Sequence, residues 1–104
     1  MSTVIVQYRI RSEARDDFVK LLADHWPTLR QLGLVTDRPA QYYEGSDATD
    51  GEPIVVEIFE WASADAARSA HVHPEVSRIW EAMGPLMRHG DERPRRYHVA
   101  PLAV

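Results

Sequence analysis

Between Ile54 and Trp61 the chain reads Ile-Val-Val-Glu-Ile-Phe-Glu-Trp, the strongest strand signal in its 104 residues. β-Branched and aromatic residues fall on both sides of the period-two pattern that a strand imposes. Val55, Phe59 and Trp61 share one side, and Val56 and Ile58 share the other. A surface apolar on both faces needs a cover on each, because an exposed patch of that size marks an interface. Whatever fold the chain adopts must supply two covers for this strand.

The rest of the chain supplies one of them. Thr3 to Arg11 alternates, with Val4, Val6, Tyr8 and Ile10 on one side and Ile5, Gln7, Arg9 and Arg11 on the other. Ser12 is read as the N-cap of a following helix, with Asp16 and Asp17 early in it, where the dipole favours them. Ala14, Phe18, Leu21, Leu22, His25, Leu29 and Leu32 recur at helical spacing, and Gly33 is a natural stop. Pro27 cannot donate to the carbonyl of Ala23, so a kink or break is expected near Trp26. A short strand over Ala40 to Gly45 and turn chemistry from Ser46 to Pro53 lead into the Ile54 strand as an antiparallel hairpin. Ser63 is placed to cap a short alanine-rich helix, and Pro74 sits at the first position of the next, where its missing N–H costs nothing. Val76, Ile79, Trp80, Met83, Leu86 and Met87 form that helix's buried stripe. Gly90 to Pro94 is a loop, and Arg95 to Val99 a final strand.

The expected order is β-α-β-β-α-(α)-β, the split βαβ of ferredoxin-like α+β domains, with two helices on one face of a four-stranded antiparallel sheet. One domain, residues 1–104, accounts for the whole length. The uncovered face then calls for a second copy, two sheets packing face to face in a two-fold homodimer.

Charge and composition narrow the function classes. A net charge of -4 lacks the footprint of a nucleic-acid binder. The basic cluster Arg93, Arg95 and Arg96 is interrupted by Pro94 and reads as solvated charge at a strand edge. With no cysteine, disulfides, thiolate catalysis and iron–sulfur clusters are excluded. No signal peptide is read and no apolar run approaches bilayer length, so no membrane association is expected and the cytoplasm is the expected compartment.

The residues that could carry chemistry are His25, Trp26, Tyr43, Trp61, His71, His73 and Trp80. Aromatic walls grip flat ligands, and an imidazole titrates near neutrality, which suits proton transfer. Against that stands ordinary packing: the tryptophans as core, and His25, on the apolar stripe, as a satisfied core histidine. His71-x-His73-x-Glu75 has metal-like spacing, but alternate residues at a helix break do not share a face, and no third ligand accompanies them. No metal is expected. Glu57 and Glu60 lie on opposite strand faces and cannot act as a carboxylate pair; Glu57 is assigned to a cross-strand ion pair with Arg9.

Phe59-Glu60-Trp61-Ala62-Ser63, the alanine-rich helix, then His71 and a second helix resemble the dimeric α+β-barrel superfamily, and within it the antibiotic-biosynthesis-monooxygenase-like (ABM) branch. The resemblance covers nearly the whole chain. His71 comes one residue later than the family's spacing from the strand-end tryptophan. The resemblance implies a homodimer with a small-molecule pocket between each sheet and its helices, and cofactor-independent oxidation of a small aromatic or quinol. His25 and His71 would then be the catalytic residues, with Trp26, Tyr43, Trp61, His73 and Trp80 binding the substrate. A haem-degrading branch keeps an iron-ligating histidine inside the last helix; here Ile79, Trp80 and Glu81 occupy that stretch, so no haem or other cofactor is expected. A non-catalytic binding module and a purely structural dimer are the alternatives, the latter requiring that no cavity exist.

Overall fold

The computed structural model describes residues 2–104. Over these the order is β1 (Ser2–Arg9), α1 (Arg15–Gln31), β2 (Gln41–Ser46), β3 (Pro53–Trp61), α2 (Ala66–Ala70), α3 (Pro74–Met83) and β4 (Arg95–Val99). Single 3-10 turns lead into α1 at Ser12–Ala14 and extend α3 at Gly84–Leu86. The four strands form one antiparallel sheet in the order β2-β3-β1-β4. This is the ferredoxin-like α+β arrangement expected from the sequence.

Register decides which residues meet the helices. Val4 stands opposite Phe59, Val6 opposite Glu57 and Tyr8 opposite Val55, and all six are buried. With Phe18, Leu22 and Leu29 of α1 and Val76 and Met83 of α3 they make the core. The other face carries Ile5, Gln7, Arg9, Val56, Ile58 and Glu60, half-buried, with Tyr43 from β2 and Tyr97 and Val99 from β4 exposed beside them.

Helix α1 ends in a Schellman motif: the Gly33 N–H donates to the Arg30 carbonyl and the Leu34 N–H to the Leu29 carbonyl, each at 3.0 Å. Gly33 takes φ 74°, a conformation that costs a residue with a Cβ, and Leu34 packs down with Leu29.

Three local expectations are corrected. Helix α1 runs unbroken through Pro27. Ala23 and Pro27 are both exposed, so the Ala23 carbonyl that loses its helical donor lies on the solvent side of the helix, while the Thr28 hydroxyl donates to the Asp24 carbonyl at 2.7 Å. Neither Ser12 nor Ser63 caps a helix by its side chain: the chain tightens into turns before Arg15 and before Ala66 instead. Arg9 does not meet Glu57. It turns to the open face and pairs with Asp47 and Asp50 of the β2–β3 turn, whereas Glu57 points the other way, into the core.

Candidate functional site

Glu57 lies in the middle of β3 with none of its surface exposed, on the face otherwise built from Val55, Phe59 and Trp61. A carboxylate taken out of water needs donors, and two reach it. The Tyr8 hydroxyl, from the neighbouring strand, donates to Oε1 at 2.8 Å. Nδ1 of His25, descending from α1, lies 3.0 Å from Oε1 and 2.9 Å from Oε2. On the far side of the ring the indole N–H of Trp80, from α3, donates to His25 Nε2 at 2.9 Å.

This chain of bonds fixes the tautomer. An indole N–H can only donate, so Nε2 must hold a lone pair and the ring proton must sit on Nδ1, facing Glu57. His25, 3% exposed, is therefore a neutral imidazole with its carboxylate partner already in place. Burial, and then the charge of Glu57, push the Tyr8 hydroxyl well above the usual tyrosine range, which keeps it a donor.

In front of this group lies a cavity of about 500 Å³ between the sheet and α3. Val4, Val6, Phe59, Met83 and Met87 give it an apolar wall, and Tyr8, His25, Trp61, His71 and Trp80 its polar atoms. Glu57 is not in the wall and reaches the cavity only through Tyr8 and His25. Phe59 and Trp61 meet edge to face at 4.9 Å, and His71 lies against Trp80 at 4.8 Å. Among the described residues the buried indole N–H of Trp61 has no hydrogen-bond partner. Among the described residues no group of three or more histidines and carboxylates comes together to hold a metal ion.

The structure thus brings together His25, Trp61, His71 and Trp80. It does not bring the other three to them. Trp26 lies outside the wall, under the Arg30 guanidinium at 5.6 Å from the ring centre. Tyr43 is on the opposite face of the sheet and 58% exposed. His73 is the N-cap residue of α3, without a capping side-chain bond. His71 reaches the wall because α2 stops at Ala70 and the following N–H groups of His71, Val72 and His73 bond three residues back, tightening the turn. Sequence reasoning left open whether Tyr8 or Arg9 faces the pocket, and it gave Glu57 to Arg9 instead of to the site. Their signal was present: each is a polar residue at the inward parity of a strand whose other buried positions are apolar.

No protein-family model matches the chain, and no curated protein matches it. Solved structures do. An antibiotic biosynthesis monooxygenase superimposes with a TM-score of 0.73 at 20% identity, covering 99% of this chain and 100% of that one. SnoaB, a cofactor-independent oxygenase from Streptomyces nogalater, gives 0.65 at 14% identity over 99% of this chain and 94% of its own. A dimeric ferredoxin-like protein of unknown function from Jannaschia sp. CCS1 gives 0.70 at 14% identity over 96% and 98%. The fold is that of the ABM-like structures. Among the described residues no helix is long and apolar enough to cross a membrane.

Proposed function

We propose that the cavity binds a flat phenol or quinol and that His25 is the base for its cofactor-independent oxidation by dioxygen, as an ABM-like protein. The observation that carries this reading is a neutral imidazole, oriented by a buried carboxylate, in the wall of a cavity that also has an apolar side formed by Val4, Val6, Phe59, Met83 and Met87. That is the arrangement of a general base with its orienting group.

The steps follow from the bonds. The substrate hydroxyl donates to His25 Nε2 and displaces the Trp80 N–H. As the proton passes to Nε2, the imidazolium is stabilised through its Nδ1–H by Glu57, which Tyr8 holds in position. The released Trp80 N–H is then free to donate to the phenolate oxygen. The electron-rich anion reduces dioxygen, a ring carbon bonding to oxygen. The hydroperoxide loses water, its O–O bond breaking as the ring C–H proton leaves, and a quinone results. The proton that His25 took from the phenol is the one that converts the peroxide anion to that hydroperoxide, and the ring C–H proton completes the departing water. One dioxygen thus supplies one quinone oxygen and one water oxygen.

Oxygen uptake with a panel of hydroquinones and polyketide phenols, aerobic against anaerobic, tests the reading. His25→Ala is expected to lower turnover by about 10²–10⁴-fold, the range for losing a general base. Turnover unchanged in that variant would remove His25 from the role. One observation favours a second reading, a binding module without turnover: Nε2 is already occupied by Trp80. Saturable binding of the same panel with no oxygen uptake would select it.

The open sheet face supports a homodimer formed through it. The half-buried Ile5, Val56 and Ile58 and the exposed Tyr43, Tyr97 and Val99 form one apolar surface with no helix over it.

A further inference from the structure

The cavity has a charged end that the oxidation does not use. Arg96 stands opposite Val6 in the β1–β4 pairing, so its side chain leaves the sheet on the cavity side. Arg93 and Pro94, from the loop that leads into β4, also line the cavity. Elsewhere on the molecule Arg9, Arg15, Arg30, Arg68 and Arg88 each sit against a carboxylate. Among the described residues Arg11, Arg38, Arg78, Arg93, Arg95 and Arg96 are in no ion pair, and of these six the exposed Arg93 and Arg96 are the two that line the cavity.

Two carboxylates share that wall, Glu81 and Glu92. Glu92 is engaged within its own loop: Oε1 accepts the Gly90 N–H at 3.0 Å and lies 3.5 Å from His89 Nδ1. Glu81 is exposed on α3, and no ion pair ties it to either arginine. Arg96 is also near enough to Tyr8 for its charge to favour the phenolate, opposing the effects of burial and Glu57. Its positive charge is therefore felt at the Tyr8 hydroxyl. Two unpaired guanidinium groups in the wall of one cavity suit a planar oxyanion, which such groups bind by paired N–H donors.

We propose that Arg96, assisted by Arg93, is an anion subsite, and that the ligand is an aromatic acid: a phenolic ring system with a carboxylate at the end away from the hydroxyl that meets His25. The inference rests on the cavity being the ligand site, and it adds the class of ligand. Arg95 faces the opposite side of the sheet, opposite Gln7, and takes no part.

The test is binding, so that it does not depend on turnover. A dihydroxynaphthoic acid, its methyl ester and its primary carboxamide are titrated against the intact protein by calorimetry. The acid is expected to bind roughly tenfold more tightly than the two neutral probes, the scale of a solvent-accessible charge-assisted contact, with the preference shrinking as salt rises. Arg96→Met should erase the preference while leaving ester affinity within about twofold, Arg96→Lys should keep part of it, and Arg95→Met should leave it intact. Equal binding of acid and ester by the wild type would overturn the anion subsite and leave the cavity as a ligand site. Loss of acid and ester together in Arg96→Met would assign the residue to structure and overturn the subsite too. If none of the three probes binds, the cavity reading falls and takes the subsite with it.

Discussion

On the side of the sheet that the helices cover, Tyr8 and Glu57 stand among Val4, Val6, Val55 and Phe59; on the other side Ile5, Val56 and Ile58 lie beside Tyr43, Tyr97 and Val99 with no helix above them. The first face hides polar groups in an apolar layer, and the second leaves apolar groups at the surface. Both run against the usual partition, for different reasons. A buried carboxylate with two donors costs desolvation that a leucine would avoid, so it stands there for what it does to His25. An uncovered apolar face costs solubility that threonine or lysine would restore, so it stands there for what it meets. In the proposed reading, chemistry is concentrated on one face of this sheet and association on the other.

The sharpest way to break that contrast is Glu57→Ala. Removing the carboxylate leaves the Tyr8 hydroxyl and the His25 Nδ1–H buried without an acceptor and opens a void. A loss of about 3–5 kcal/mol is expected, read from the urea midpoint at constant m. A loss below about 1 kcal/mol would mean that water already reaches the group, and the covered face would no longer differ from the open one.

Next in size is Ile58→Arg on the open face. In the proposed dimer it sets a cation against an apolar partner surface, and weakening by several kcal/mol is expected, enough to give monomer at micromolar concentration by sedimentation. The protomer itself should change by under ~1 kcal/mol, because its core lies on the other side. A wild type that is already monomeric when dilute would remove the association face from the contrast.

A pH titration separates the faces without moving a core atom. Burial, and then the charge of Glu57, push the Tyr42 hydroxyl up to about 12, and Tyr8 is raised for the same reasons. Unfolded tyrosine titrates near ~10. Above that pH the unfolded chain releases phenolic protons that the native chain keeps, so it binds fewer protons and stability falls as pH rises. The contribution is whole below pH ~10 and is lost as the pH climbs through about 12 for Tyr42. Tyrosinate absorbance against pH, in the wild type and in Tyr42→Phe, follows it. A Glu57→Gln background should bring the Tyr42 midpoint down, and an unmoved midpoint would detach Tyr42 from Glu57.

How far the sequence carried this picture follows from what each pattern encodes. Alternation in β1 and β3, the α1 stripe and Pro74 at the start of α3 are local signals, and they placed the elements to within a few residues. Helix α1 continued where Pro27 pointed to a break, because solvent on its exposed side relieves the proline, and one-dimensional spacing does not record which side that is. The site was half legible. His25, Trp61, His71 and Trp80 were picked out by residue type, but Glu57 was assigned to Arg9 because pairing was argued from charge before parity. Tyr8 and Arg9 differ by one position, and that single step decides which of them meets Glu57. Trp26, Tyr43 and His73 belonged to the same aromatic and histidine set, and the backbone carried each elsewhere.

The smallest expected effect is the most direct check on that parity. Glu57 and Glu60 are three residues apart on one strand and so face opposite ways. Glu57→Gln keeps the shape, and its carbonyl can take the Oε1 position that both donors reach, but the NH2 at the Oε2 position then faces the His25 Nδ1–H, so about 1–3 kcal/mol should be lost. Glu60 is half-exposed and accepts the Thr36 hydroxyl at 2.9 Å, a bond that a glutamine carbonyl keeps. Glu60→Gln should therefore fall within about 0.5 kcal/mol of wild type. If the two substitutions cost the same, Glu57 is no more buried than Glu60, and the imidazole in the cavity wall has lost the group that orients it.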